Sequence, residues 1–168
     1  YCMKYQVSEG QYAAFLNHLT PAQATTRYSG MYGTYNHSIH MVDEVYVSDA
    51  PDRACGYAGW VDGAAYLDWS GLRPMTELEF EKACRGPAAP VPSECAWGAA
   101  TPLVEQSGYE GVVGSGSETA LPVNASLVKT STLGGLSRAG IFAATATSRT
   151  TAGASYWGIM ELSSHPAL

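Results

Sequence analysis

The segment GLRPMTELEFEKACRG, residues 71–86, contains a full set of signals for the start and the end of a helix. Thr76 is a favoured N-cap residue, and Glu79 stands three residues later, where its carboxylate can complete a capping box. Gly86 follows the last turn and is typical of a helix C-terminus. The segment therefore predicts a helix over residues 77–85. The side chains expected on its buried side are Leu78, Phe80 and Ala83.

A second helix is predicted near the N-terminus. In VSEGQYAAFLNHL, Ser8 and Gln11 form another capping box. The apolar residues that then recur at helical spacing are Tyr12, Phe15, Leu16 and Leu19. We expect a helix over about residues 9–19 that ends before Pro21, because proline lacks the N–H that a helix interior requires.

A third helix is predicted in GWVDGAAYLDWSG. Its apolar residues recur at helical spacing, and Gly71 stands at its C-terminal end. The residues expected on its buried face are Trp60, Ala64, Ala65 and Leu67, whereas Asp62 and Asp68 lie elsewhere on the helix. This helix and the one over residues 77–85 would form a pair joined by a short turn.

The rest of the chain shows little periodicity. Residues 20–58 are rich in Gly, Pro, Asn and Ser and predict a long loop, in which EVYVS alternates as a short strand does. Residues 87–153 contain few charged residues, which is unusual for a disordered segment. We predict irregular backbone over a small core there, with short strands such as RAGIFAA.

Length and charge limit the class of protein. With 168 residues, 46% of them hydrophobic, the chain can bury one sizeable core, and we expect a single domain over residues 1–168. The net charge of −6 and the nine scattered Lys and Arg residues predict no surface for nucleic acid or for an anionic membrane. No apolar run reaches the ~20 residues that a membrane span needs. The abundance of Gly, Ala, Ser, Thr and Tyr leads us to expect an extracellular or cell-surface location.

Four cysteines, Cys2, Cys55, Cys84 and Cys95, allow three disulfide pairings. They include no C-x-x-C pair, and their spacings match no zinc module. We expect structural disulfides or buried free thiols, and the sequence leaves both alternatives open. A bridge between Cys84 and Cys95 would close a short loop and contribute about 3 kcal/mol or less.

Two groups of side chains are considered as metal ligands. His37 and His40 would share a face if their segment were helical, but the surrounding Gly and Asn residues favour a loop. The oxygen ligands that would suit calcium are those of Asp43, Glu44, Asp49 and Asp52. No D-x-D-x-D-G pattern orders them, so calcium remains an alternative and we assign no metal site.

Three further patterns have structural interpretations. Glu77, Glu79 and Glu81 lie at the start of a helix, where the macrodipole favours negative charge. GVVGSGSE is glycine-rich but lacks a following G-K-[ST], and it predicts a flexible loop. The N-glycosylation triplets that begin at Asn36 and Asn124 matter only in a glycosylating host. We therefore assign no catalytic residue and no cofactor-binding residue.

Four longer segments occur in the order MKYQVSEGQYAAFLN, GWVDGAAYLDWSGLRPMTELEFEKACRG, AWG and SYWGIMELS. Together they resemble the conserved blocks of the formylglycine-generating (sulfatase-modifying factor) enzyme family. The resemblance covers about a third of the chain. It implies a C-type-lectin-like α+β fold of the formylglycine-generating-enzyme type, in which short helices surround a small twisted sheet with long irregular loops.

The chain departs from the family after the fourth block. Where the family continues with G-N-V-W-E, this chain ends in Ser164, His165, Pro166, Ala167 and Leu168. His165 stands at the position of an Asn that helps to bind calcium in family members. The catalytic cysteine pair of the family, with its copper, belongs to a later part of the family sequence. The resemblance therefore implies an incomplete domain and transfers no catalytic residue to this chain.

Two functions are considered on this basis. The preferred one is a non-catalytic extracellular binding or structural and assembly module, since long loops and abundant Tyr and Trp suit contact surfaces. The alternative is the N-terminal part of a formylglycine-generating-type oxidoreductase whose catalytic cysteines lie downstream of this chain. Because an incomplete sheet exposes apolar faces and strand edges, we expect self-association or a partner chain to cover them.

Overall fold

The computed structural model describes residues 1–100, 104–123, 125, 133–144 and 146–163. Within these residues the chain mixes helices with two antiparallel hairpins, which confirms the α+β class. The elements in chain order are α1 (Glu9–Asn17), α2 (Pro21–Arg27), β1 (Ile39–Val42), β2 (Val45–Ser48), α3 (Trp60–Trp69), α4 (Glu77–Arg85), β3 (Gly108–Glu110), β4 (Thr119–Leu121) and a 3-10 helix (Ile141–Ala143).

Helices α1 and α4 begin at the two predicted capping boxes. At α1 the Gln11 N–H donates to Ser8 Oγ at 3.3 Å, and Gln11 Oε1 accepts from the Ser8 N–H at 2.9 Å. At α4 the Glu79 N–H donates to Thr76 Oγ1 at 3.3 Å, and Glu79 Oε2 accepts from the Thr76 N–H at 2.9 Å. Each box provides acceptors for two backbone N–H groups that the start of the helix would otherwise leave unpaired. Residues only three positions apart therefore determine where α1 and α4 begin.

The prediction of a long loop over residues 20–58 is wrong, apart from the strand in EVYVS. Pro21 does not simply end α1, which stops at Asn17, but occupies the first turn of α2. A missing N–H costs nothing there because first-turn N–H groups have no partner within the helix. Strand β1 then pairs with β2, Ile39 opposite Ser48 and Val42 opposite Val45. Helix α2 and strand β1 are too short for their periodicity to be visible in the sequence.

The first core lies where α1 packs against the β1–β2 hairpin and α3. Phe15 and Leu16 are each 1% exposed, and Tyr12 is 5% exposed, which confirms the predicted face of α1. The other buried members are Ala13, Ala24, Ile39, Tyr46 and Tyr66. Burial of this aromatic and aliphatic cluster provides the main apolar stabilisation of the N-terminal half.

The buried face of α3 differs from the prediction. Tyr66 is the buried residue of the helix, with its ring centroid 6.2 Å from that of Tyr12 and 5.7 Å from that of Phe15. Partly buried neighbours in the same core are Ala65 and Leu67. Trp60 is 75% exposed. Because positions 60 and 66 lie about 120° apart around a helix, turning Tyr66 towards α1 turns Trp60 away from it.

Helix α4 has the predicted bounds but not the predicted burial. Leu78 is 80% exposed, Phe80 is 38% exposed, and no residue of the helix is buried. Ala83 is only partly covered. Within the described part of the chain, α4 makes few contacts with other helices or strands. Its amphipathic pattern therefore marks an apolar face that the described residues cover only in part, with Leu78 its most exposed side chain.

The second core joins the β3–β4 hairpin to the 3-10 helix and to residues 152–160. Its buried members are Ala120, Ala125, Ile141, Phe142, Ala152, Ala154 and Met160. The prediction of a strand in RAGIFAA is wrong, because Gly140 adopts a φ of +72° and the chain then forms the 3-10 helix. The two cores are connected by backbone hydrogen bonds, Ala54 N–H to Ser137 C=O at 3.0 Å and Ala139 N–H to Asp52 C=O at 2.9 Å.

Two phenylalanine variants test this distribution of burial. Phe15→Ala removes a fully buried ring and should lower the free energy of unfolding by about 3–5 kcal/mol. Phe80→Ala is the matched control on α4 and should lower it by only roughly 1–2 kcal/mol, because that ring is 38% exposed and loses less buried area. Urea unfolding followed by circular dichroism measures both. Equal losses for the two variants would contradict the assignment of α4 as an uncovered helix.

Candidate functional site

An open groove of about 1300 Å³ lies between residues 1–7, the end of α3 with the following turn, α4, and residues 157–162. Its lining is mostly apolar. The main apolar side chains are Met3, Leu67, Leu72, Met75, Trp157 and Ile159. We call this feature the apolar groove. Its volume exceeds the ~300–1,000 Å³ of a typical small-molecule pocket.

Backbone hydrogen bonds hold the walls of the apolar groove together. The Met160 N–H donates to the Lys4 C=O at 2.8 Å, and the Tyr156 N–H donates to the Cys84 C=O at 2.8 Å. Trp157 Nε1–H donates to the C=O of Lys82 on α4 at 3.1 Å. These bonds fix residues 156–160 between the N-terminal segment and α4, which places the Trp157 ring at the rim.

Gly86, at the end of α4, lies directly against the ring of Tyr156. Its φ of +65° ends α4, and a Cβ at this position would overlap the ring of Tyr156. Glycine is therefore required here both for the backbone conformation and for the space. At the other end of α4 a bidentate ion pair joins Arg73 to Glu79, with its shorter N–O distance 2.7 Å.

Glu161 is a buried carboxyl group in the segment that lines the apolar groove. It is 4% exposed and has a φ of +67°, a strained conformation for a residue other than glycine. Glu161 Oε1 accepts from the Gly140 N–H at 3.0 Å, whereas Oε2 has no hydrogen-bond partner among the residues that the structure describes. Burial raises the pKa of Glu161 to about 7, against the opposing effects of the Gly140 N–H and the charge of Arg138. A titratable group of this kind beside a cleft is a candidate functional residue.

A second buried carboxyl group, Glu9, lies at the other side of the first core and is 1% exposed. Glu9 Oε2 accepts from the Ser48 hydroxyl at 2.9 Å and, over a short contact, from the Ser38 hydroxyl. The Ser38 N–H donates to both carboxylate oxygens. His37 Nδ1 lies 3.4 Å from Glu9 Oε1. Burial alone would raise the pKa of Glu9, but the nearby imidazole of His37 and the hydrogen bonds from Ser38 and Ser48 outweigh it and lower the pKa.

The residues considered as metal ligands do not come together. His37 points to Glu9, whereas His40 lies on β1 with Nδ1 3.9 Å from Asp49 Oδ2. Asp43 and Glu44 form the hairpin turn, and Asp49 follows the far end of β2, which at about 3.4 Å per residue is on the order of 13 Å away. Among the described residues no three His, Cys, Asp or Glu side chains could hold a metal ion. The absence of a cofactor stays a prediction.

The other candidates have structural positions. Glu79 caps α4, and the hydrogen bonds from Arg73 and Thr76 lower its pKa to about 2. Glu81 forms an ion pair with Arg85. GVVGSGSE occupies the turn between β3 and β4. Asn36 begins the glycosylation triplet that leads into β1, while Asn124 and residues 164–168, which include His165, lie outside the described residues.

All four cysteines carry free thiols in this structure. Burial raises the pKa of Cys55 to about 12, with a further contribution from the charge of Glu9. Burial also raises the pKa of Cys2 and of Cys84. A thiol with a raised pKa is protonated at neutral pH and is a poor nucleophile and metal ligand.

Comparison with known proteins identifies no relative. No protein-family model, no curated protein and no solved structure matches the chain. No helix within the described ranges has both the length and the apolar character needed to cross a bilayer. The resemblance to the formylglycine-generating enzyme family therefore stays a prediction that rests on the four sequence segments.

The buried carboxyl group of Glu161 predicts a dependence of stability on pH. Because its pKa is about 7 in the folded protein and 4.5 ordinarily, the folded protein binds more protons between these values. The free energy of unfolding should therefore fall as the pH rises from 4.5 to 7, by up to about 3 kcal/mol, and stay low above that range. Urea unfolding midpoints at pH 5 and pH 8 measure the effect.

Glu161→Gln removes the titration and keeps an acceptor for the Gly140 N–H. It should be more stable than the wild type at pH 8 and should reduce the difference between the two pH values. Glu110→Gln alters an exposed carboxylate and serves as the control. If Glu161→Gln and Glu110→Gln have the same free energies of unfolding at the two pH values, Glu161 is not the group that destabilises the folded protein at high pH.

Proposed function

We propose that this chain is a non-catalytic extracellular binding or assembly module of the formylglycine-generating enzyme superfamily, and that its partner surface is the apolar groove together with the uncovered face of α4. The observation that carries the proposal is the exposure of large apolar side chains around α4. Trp157 is 59% exposed and Leu78 is 80% exposed. Contiguous apolar surface on a soluble protein usually marks an interaction site.

The size and chemistry of the apolar groove favour a polypeptide as the partner. The groove is larger and more open than a pocket that encloses a small ligand. Trp157 and Tyr1 line it, and aromatic side chains contribute most to the binding energy of protein interfaces. Apolar walls with a few polar groups at the rim are the usual anatomy of such an interface.

A second copy of this chain is the partner that we propose. The side chains of Lys4 and Lys82 line the apolar groove, and neither forms an ion pair within the described ranges. The chain as a whole carries a net charge of −6. Two copies of a chain with this net charge repel one another, and the two lysines reduce that repulsion at this surface.

The contacts among the four family-like segments support a C-type-lectin-like fold. The first segment contains α1, which packs on α3 of the second segment in the first core. The Tyr156 N–H of the fourth segment donates to the Cys84 C=O of the second. The Ala96 N–H of the third segment donates to Ser163 Oγ of the fourth at 3.0 Å. Segments that resemble one family thus meet in space, as parts of one domain would.

The alternative, an N-terminal part of an oxidoreductase, receives no support from the thiols of this chain. The pKa of Cys55 is about 12, and those of Cys2 and Cys84 are also raised by burial. Oxidase chemistry at a cysteine begins from a reactive thiolate. Cys2, Cys55 and Cys84 are therefore poor candidates for redox cysteines, and the alternative function depends on a catalytic pair downstream of this chain.

Light scattering after size exclusion, at several protein concentrations, tests the proposed self-association. We expect a dimer or a larger species, since burial of the apolar groove should drive association. The double variant Leu78→Ser with Trp157→Ser should weaken association at least about tenfold, which corresponds to about 1.4 kcal/mol. A stable monomer at every concentration would contradict self-association and leave a different polypeptide as the partner.

Val112→Ser is the matched control for this experiment. Val112 is 75% exposed but lies in the turn between β3 and β4, outside the lining of the apolar groove. The variant should associate as the wild type does. If it weakens association as strongly as the double variant, the association is non-specific and does not depend on the apolar groove.

A further inference from the structure

Ser29, His37 and Glu9 form a chain of contacts from the protein surface to the first core. Ser29 is exposed, His37 is 5% exposed and Glu9 is 1% exposed. Ser29 Oγ lies 3.3 Å from His37 Nε2, and His37 Nδ1 lies 3.4 Å from Glu9 Oε1. An accessible hydroxyl, an imidazole and a buried carboxylate therefore follow one another in the order that an activated serine requires.

At the buried end of this chain the Glu9 carboxylate lies beside the imidazole, although His37 Nδ1 makes no hydrogen bond within the described residues. Glu9 is held by the Ser38 N–H and by the hydroxyl groups of Ser38 and Ser48, which keep it ionised. A carboxylate opposite Nδ1 favours the tautomer of His37 with the proton on Nδ1. The lone pair of Nε2 is then available to accept the proton of the Ser29 hydroxyl.

The outer end of the chain is open. Ser29 lies one residue beyond Tyr28, the C-cap of α2, and the next residue, Gly30, has a φ of +68°. Ser29 is exposed, and a Cβ at the neighbouring Gly30 would meet no heavy atom within 4 Å, so the chain is open to solvent at this turn. The Met31 N–H donates to Ser29 Oγ at 3.4 Å and helps to orient it.

We propose that Ser29 is a nucleophilic serine that takes up acyl or phosphonyl groups from activated esters, with His37 as its general base and Glu9 as a positioning residue. This activity goes beyond the proposed binding function, which uses the apolar groove. None of these three residues lines that groove. A result that contradicts the proposed binding function therefore does not affect the proposed activity of Ser29, and the reverse also holds.

The proposed reaction transfers an acyl group from an ester to Ser29 and then hydrolyses the acyl-serine. Ser29 Oγ attacks the carbonyl carbon of the ester, the new C–O bond forms, and the bond from that carbon to the leaving oxygen breaks. The hydroxyl proton passes to His37 Nε2 and from there to the leaving alcohol. Water then attacks the acyl carbon and passes a proton through the same nitrogen to Ser29 Oγ, while the bond from that carbon to Oγ breaks and the carboxylic acid is released. No oxidant or metal takes part in this sequence.

The test uses a fluorophosphonate probe on the whole protein, followed by peptide mapping by mass spectrometry. Here the Ser29 oxygen forms a bond to phosphorus and fluoride leaves. We expect the label on Ser29, at a rate at least about 100-fold higher in the folded wild type than in urea, because general-base assistance is typically worth 10²–10⁴-fold. Comparing folded with unfolded wild type removes the need for a His37 variant that folds.

Two serine variants provide the controls. Ser29→Ala should abolish labelling, whereas Ser117→Ala alters an exposed serine bonded only to Ser115 and should leave it unchanged. Ser29 that stays unlabelled in the folded wild type, or that labels equally fast in urea, would overturn the proposal. Labelling of a different serine would do the same.

Glu9 needs a measurement that separates positioning from stability. Glu9→Gln should lower the labelling rate at least about tenfold in protein whose near-ultraviolet circular dichroism matches the wild type, and Glu9→Asp should restore part of the rate. If the rate is unchanged in folded Glu9→Gln, Glu9 does not position His37. A variant that fails to fold leaves the outcome to the mapped label on the wild type.

Discussion

The buried carboxylate of Glu9 is the interaction on which the N-terminal half of the structure depends. It sits in the first turn of α1 and reaches the β1–β2 hairpin, where Ser38 and Ser48 donate to it. Removing an ion from water costs several kcal/mol, so the charge is tolerated only because several donors surround it. The lowered pKa shows that these donors more than offset burial. A helix and a hairpin that are separate in sequence are thereby fixed in one arrangement.

This arrangement explains why the two sides of the molecule differ. Around Glu9 the side chains of α1 and α3 are packed in the first core, and the Glu9 carboxylate accepts hydrogen bonds from Ser38 and Ser48. Around α4 the packing is looser, because Leu78 and Trp157 are exposed and one oxygen of Glu161 has no partner within the described part of the chain. The side that contains Glu9 presents the accessible hydroxyl of Ser29 next to the imidazole of His37, which suits chemistry on a small molecule. The uncovered side presents apolar surface, which suits contact with another chain.

The sequence predicted the features that local chemistry decides. The pairs Ser8 with Gln11 and Thr76 with Glu79 fixed the starts of α1 and α4, since a capping box needs residues only three positions apart. The burial of α4 was predicted wrongly, because periodicity shows that a helix has an apolar side and not whether anything covers it. Glu9 was not recognised, since an acid in a first turn is ordinary and its burial depends on a hairpin without periodic signal.

Hydrogen–deuterium exchange at low and high protein concentration tests most directly the claim that α4 and the apolar groove form an interface. We expect the amides of α1 and of the β1–β2 hairpin to be protected from exchange at both concentrations, because the first core is complete within one chain. Amides of α4 and residues 157–162 should gain protection only at high concentration. Exchange in those two segments that is strong at both concentrations, or equally slow at both, would contradict the account.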